Sequence, residues 1–108
     1  DTTLEAQIER IISQRHPVNL VFVPIHQMAA ELGISSQTLH RRLKDSATSY
    51  QKIKDNLRRE VAIQKLVNER LSVEAVAEIV GFTESRSFTR AFKHWTGLTP
   101  REYCKRES

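Results

Sequence analysis

Gly33 and Gly81 divide this 108-residue chain into two copies of one pattern. Placing one glycine over the other aligns Ala29 with Ala77 and Leu32 with Val80. One extra residue then aligns Leu39, Arg41, Leu43 and Lys44 with Phe88, Arg90, Phe92 and Lys93. Each copy is a short apolar helix, a glycine whose left-handed backbone lets the chain turn steeply, and a second helix with apolar residues four apart and basic residues between them. That is the helix-turn-helix arrangement, twice. Strand signals are weak, because β-branched residues rarely alternate with polar ones, whereas apolar residues at three-to-four spacing recur through most of the chain. The fold is expected to be all-α, with about seven helices.

The remaining elements follow from caps and breakers. A first helix is expected from Leu4 to Arg15, capped by Thr2 or Thr3, with Leu4, Ile8, Ile11 and Ile12 on one face; Pro17 stops it. A second starts with Pro24 in its first turn and carries Met28, Ala29 and Leu32 inward as far as Gly33. Ser35 or Ser36 caps a third, with Leu39 and Leu43 toward the core and Gln37, His40, Arg41 and Lys44 outward. No Gly or Pro interrupts residues 48–69, which predicts one linker helix of roughly 30 Å with Ile53, Leu57, Ala62 and Leu66 facing inward. Ser72 caps a helix carrying Val73, Val76, Ala77 and Val80; Thr83 caps another carrying Phe88 and Phe92, which Gly97 closes. Thr99, Pro100 and Glu102 supply the cap, first-turn proline and capping-box acid of a last helix reaching about Lys105. The expected organisation is a first helix-turn-helix subdomain at 1–47, a linker helix at 48–69 and a second subdomain at 70–108.

Charge separates this scaffold from a merely structural one. Arg41, Arg42, Lys44, Lys52, Lys54, Arg58 and Arg59 against Asp45 and Asp55 give +5 around the first unit and the start of the linker. Arg86, Arg90, Lys93, Arg101, Lys105 and Arg106 against Glu84 and Glu102 give +4 around the second. The whole chain carries only +4, so the remainder sums to −5, and positive charge is concentrated where a duplex would dock. Helix-turn-helix units also occur in proteins that bind no nucleic acid, so a helical protein-interaction domain stands as the alternative. Salt separates the two, since binding through Lys and Arg releases counterions and weakens steeply as ionic strength rises. Phe88, Phe92 and Trp95 fit either core aromatics or a base-stacking platform, with helical spacing favouring the core. Arg41 and Arg90 lie between core positions and could reach bases or tie the helix to its own scaffold.

Other chemistries find no support. His16, His26, His40 and His94 fall on different elements without the spacing of metal ligands, so no metal and no cofactor is expected. No nucleophile set, paired carboxylate or phosphate loop emerges, and the chain is not expected to be an enzyme. The single cysteine, Cys104, excludes an intrachain disulfide and points to a reducing compartment, the cytoplasm. The longest apolar stretch, 18–25, is interrupted by Asn19 and Pro24 and is too short to span a membrane. Asp1 in place of an initiating Met is expected of a piece of a longer chain.

The run LSVEAVAEIVGFTE at 71–84, followed by FTRAFKHWTGLTPREY at 88–103, resembles the C-terminal signature of AraC/XylS transcription regulators. The stretch AAELGISSQTLHRRLK at 29–44 is similar to the first helix-turn-helix of that family. The resemblance implies a bacterial, nucleoid-associated regulator whose seven-helix domain binds double-stranded DNA with two recognition helices in adjacent major grooves. It implies an N-terminal effector-binding or dimerisation domain earlier in the same chain, and RNA polymerase as a further partner. By position, Gln37, His40 and Arg41 resemble the base-facing set of the first recognition helix, and Ser85, Arg86, Thr89 and Arg90 that of the second. Ser36, Lys44 and Lys93 resemble phosphate contacts. The chain departs from the family pattern at Arg86, where a small Ser is common, and at residues 18–23, an unusually apolar connector. That connector is either buried or a contact surface for the preceding domain or the polymerase.

Overall fold

In the computed structural model, which describes residues 3–15 and 19–107, the chain folds as seven α-helices with no strand among the described residues. They are α1 (Leu4–Arg15), α2 (Ile25–Glu31), α3 (Ser36–Asp45), α4 (Tyr50–Ile63), α5 (Val73–Ile79), α6 (Ser85–Thr96) and α7 (Pro100–Glu107). Thr3 Oγ1 accepts from the Ala6 amide at 3.2 Å as α1 opens, and the Ser35, Ser49 and Ser72 hydroxyls cap α3, α4 and α5. The capping box at α7 is complete: the Glu102 amide donates to Thr99 Oγ1 at 3.1 Å and the Thr99 amide to Glu102 Oε1 at 2.9 Å. These bonds satisfy amides that a helix start otherwise leaves unpaired. They hold the Glu102 carboxyl below its ordinary pKa, the Thr99 bonds being the main cause.

Four local expectations need correction. Pro24 sits at the N-cap of α2 instead of inside its first turn, with its carbonyl accepting from the Gln27 and Met28 amides. Thr83 does not cap α6; Glu84 occupies that position in extended backbone and offers no side-chain bond. Helix α7 runs two residues past Lys105. The linker is not uniformly α-helical, since α4 ends at Ile63 and a π-helical turn, Gln64–Asn68, continues it. Its fourteen α-helical residues span about 21 Å. The turn then closes without glycine, through Arg70 in the left-handed region at φ +54. Pro17, His16 and residue 18 lie outside the described residues, as does Thr2.

One core runs through both units. Ile8 and Ile12 of α1, Met28 and Ala29 of α2, and Leu39 and Leu43 of α3 are buried on one side; Val76, Ala77, Val80, Phe88 and Phe92 are buried on the other. Tyr50, Ile53, Leu57, Ala62 and Leu66 along the linker belong to both. Phe92 is the hub of the second half, its ring centroid 5.7 Å from Phe88, 6.4 Å from Trp95 and 5.4 Å from Tyr103. Phe88 and Phe92 have no exposed surface, so neither can stack on a base. Among the described residues no helix is long and apolar enough to cross a membrane.

The described part of the connector between α1 and α2 is seated on the core through Leu20, with Phe22 and Val23 half-buried. Leu20 is buried and its amide donates to the Ile79 carbonyl at 2.7 Å, while the Tyr50 hydroxyl donates to the Val23 carbonyl at 2.7 Å. Among the described residues of the connector, Val21 alone of the large apolar side chains stands exposed. The two turn glycines therefore differ in surroundings. Gly33, at φ +75, faces open space, whereas a Cβ on Gly81, at φ +93, would meet the Leu20 carbonyl at 3.3 Å.

Two outcomes follow for thermal or denaturant unfolding. Phe92→Ala should cost about 3 to 5 kcal/mol, a large share of the stability of so small a domain. Gly33→Ala should cost about 1 to 2 kcal/mol for the left-handed backbone alone, and Gly81→Ala more, because the Leu20 carbonyl must also shift. Equal costs for the two glycines would mean that the connector is not seated against the second turn.

Candidate nucleic-acid interface

The interface is set by which side of each second helix is held in the core. Leu39 and Leu43 are buried in α3, and Phe88 and Phe92 occupy the same two positions of α6. At 3.6 residues per turn, residues at i, i+4 and i+7 fall within about 60° of one another. Gln37, Arg41 and Lys44 therefore share the outward face of α3, and Arg86, Arg90 and Lys93 the outward face of α6; all six are exposed. The other expected contacts flank these rows. His40 is exposed beside Gln37 and Arg41, while Ser36, Ser85 and Thr89 are half-buried at the edge nearer the core. Ser85, Arg86 and Thr89 line a shallow cleft with Arg101 of α7, so the last helix borders the α6 row.

Electrostatics favours a charged partner at these rows. None of Arg41, Lys44, Arg86, Arg90 and Lys93 has a carboxylate in ion-pair contact among the described residues. The pairs seen among the described residues lie elsewhere: Arg15 forks onto Glu31, Arg58 meets Asp55 at 3.4 Å, Lys65 meets Glu69 at 2.8 Å, and Arg106 meets Glu107 at 3.4 Å. Arg41 and Arg90 likewise form no side-chain hydrogen bond to the scaffold among the described residues.

Two members of the basic cluster make contacts inside the molecule. Arg58 stacks over the rings of Phe22 and Phe82, at 4.5 and 5.4 Å, and its Nε donates to the Val80 carbonyl at 3.3 Å. Lys54 lies 5.0 Å over the Tyr50 ring, and burial, with Arg58 nearby, lowers its pKa. Both belong to the positive cluster around the first unit, and both also pack on aromatic rings. Counting charge along a sequence cannot tell a solvated cation from one folded onto an aromatic. The apolar connector carrying Phe22 was the available signal. His26, His40 and His94 are exposed on α2, α3 and α6, and no cluster of three His, Cys, Asp or Glu forms among the described residues.

A family model described as a helix-turn-helix domain matches residues 28–106. The chain is 38% identical over 82 residues to the ornithine utilization regulator of Pseudomonas aeruginosa, covering 76% of this chain and 24% of that protein. It is 37% identical over 75 residues to the transcriptional regulator VqsM of the same organism, covering 69% and 23%. The chain thus spans about a quarter of the length of these curated relatives. Among solved structures, the transcriptional regulator CdpR from Pseudomonas aeruginosa superposes with a TM-score of 0.81 at 32% identity, over 94% of this chain and 31% of that one. A probable AraC family transcriptional regulator from Rhodopseudomonas palustris, at 24% identity, shares the fold with a TM-score of 0.75 over 94% of both chains.

Because the outward residues are exposed and unpaired, Arg41→Ala and Arg90→Ala should each change unfolding stability by no more than about 0.5 kcal/mol. A loss comparable with that of a core truncation would show that these arginines brace their own helices.

Proposed function

The chain belongs to the AraC family of helix-turn-helix transcription regulators, and from that premise we propose that it reads one DNA duplex with both units at once, α3 and α6 entering successive major grooves. The observation that carries this reading is the equivalence of the two outward rows, Gln37, Arg41 and Lys44 against Arg86, Arg90 and Lys93, each opposite a buried apolar pair. A major groove admits one α-helix, and side chains on its outward face reach base edges. In this reading Arg41, Arg86 and Arg90 fork onto guanines and Gln37 pairs with an adenine. His40, Ser85 and Thr89 contact bases from the flank, and Ser36, Lys44 and Lys93 hold phosphates.

The molecule measures 43 Å along its longest axis against 26 and 25 Å across. That length accommodates two helices one turn of B-DNA apart, about 34 Å. Since the two rows differ in residues, the site is asymmetric, with two blocks about 10 base pairs apart, centre to centre. The proposal extends to a longer bacterial regulator, acting in the cytoplasm at the nucleoid. In it this domain follows an effector-binding or dimerisation domain, and RNA polymerase is a further partner. Its support is the greater length of the matched regulators. The reading involves no catalysis and no cofactor.

Selection from random duplex DNA supplies the site for three tests. Arg41→Ala and Arg90→Ala should each weaken binding by about 1 to 3 kcal/mol and relax preference at one base pair. Lys44→Ala and Lys93→Ala should weaken all sequences alike and each reduce the salt slope by about one. An unchanged selected sequence after Arg90→Ala would mean that α6 does not read bases. Inserting half a helical turn between the blocks should abolish two-block binding by moving one groove to the opposite face, and a full turn should also abolish it because the linker cannot stretch. Recovery at the full turn would indicate two chains or a flexible linker.

A further inference from the structure

We propose that Arg58 is a positioning residue for DNA recognition: it fastens the linker helix to the connector of the first unit and to the turn of the second, and so fixes the spacing of base blocks that the protein accepts. The consequence for DNA rests on the two-groove reading above; the fastening itself does not.

Two segments distant in sequence from α4 and from each other meet on this one side chain. Phe22 comes from the connector between α1 and α2, Phe82 from the turn between α5 and α6, and the Val80 carbonyl from the end of α5. That carbonyl lies past the last residue of α5, where helix geometry leaves acceptors without intrahelical donors. Asp55, one turn earlier on α4, meets the guanidinium at 3.4 Å and holds it over its own helix. The Arg58 side chain is only 19% exposed. A planar guanidinium can stack on rings with its faces while donating from its edge, which a lysine ammonium cannot do. Cation–ring attraction also strengthens as water is removed.

The joint has a second fastening beside the first. The Leu20 amide donates to Ile79, and the Leu20 carbonyl sits 3.3 Å from where a Cβ on Gly81 would stand, so the first unit's connector runs directly against the second unit's turn. The linker alone is poorly suited to fix this geometry, because its last turn is π-helical and the left-handed Arg70 follows it before α5. Adding one base pair between two blocks rotates the second by about 34° and moves it about 3.4 Å. A loose joint would follow such a change; a fastened one would reject it.

The test compares Arg58→Gln and Arg58→Lys with the parent chain, each first shown to be folded by its unfolding transition. Without DNA, spin labels at Asp45→Cys in α3 and Arg101→Cys in α7, on a Cys104→Ser background, report the distance distribution between the units. It should be narrow with Arg58, broad with Arg58→Gln and intermediate with Arg58→Lys. With DNA, duplexes carrying the two blocks at the selected spacing and at one or two base pairs more or fewer report the spacing preference. The parent should prefer one spacing; Arg58→Gln should lose that preference while still binding a duplex with a single block. A narrow, unshifted distribution in Arg58→Gln overturns the fastening. A broadened distribution with an unchanged spacing preference overturns its role in recognition. If the parent shows no two-block binding, the two-groove reading fails, and the label distances still decide whether Arg58 sets the joint. Should Arg58→Gln not fold, Phe22→Leu removes one ring with little loss of apolar volume and is judged by the same two readouts.

Discussion

Burial of Leu39 and Leu43 in α3, and of Phe88 and Phe92 in α6, fixes the rotation of each recognition helix about its own axis. A helix held by two side chains four residues apart cannot roll without opening the core, so the residues opposite them are presented to solvent by necessity. The orientation of the outward rows is thus inherited from packing on the other side. The two halves meet this constraint with different means: aliphatic side chains in α3, and in α6 a set of rings that also engages Phe82, Trp95 and Tyr103. The bulkier packing accompanies a longer helix and an extra residue in the turn before it.

Much of this was legible because local rules and global packing agree. The serine caps, the capping box at Thr99 and Glu102, the glycine turns and the inward positions of the linker all follow from short-range chemistry that the tertiary structure does not override. The failures are equally local. Thr83 has the composition of a cap, yet Glu84 stands between it and α6, so the helix starts one residue later without a side-chain acceptor. The π-helical turn at Gln64–Asn68 carries no Gly or Pro to announce it, and it lies against α7, where the Cys104 thiol donates to the Leu66 carbonyl at 3.8 Å.

The candidate site was legible as two rows of residues but not as one surface. Periodicity assigns Gln37, Arg41, Arg86 and Arg90 to the outside of their helices; it carries no information about how one helix is aimed relative to the other. In the joint proposed above that orientation is set by Arg58, Leu20 and Gly81, whose contacts form only through the fold. The packing of Arg58 is illegible for the same reason, since a cation in a basic run and a cation folded between two rings are identical in sequence. A basic surface and a rigid joint thus draw on one pool of arginines, and burial decides which role each takes.

The central claim is that one chain presents two recognition helices to one face of a duplex. Hydroxyl-radical footprinting of a complex whose stoichiometry is fixed by mass measurement tests this most directly. The account predicts one chain per duplex, with two patches of backbone protection on the same face, separated by about 10 base pairs, and loss of only the second patch when Arg86, Arg90 and Lys93 are replaced together by Ala. A single patch from one chain, or two patches that appear only when two chains are bound, would contradict it.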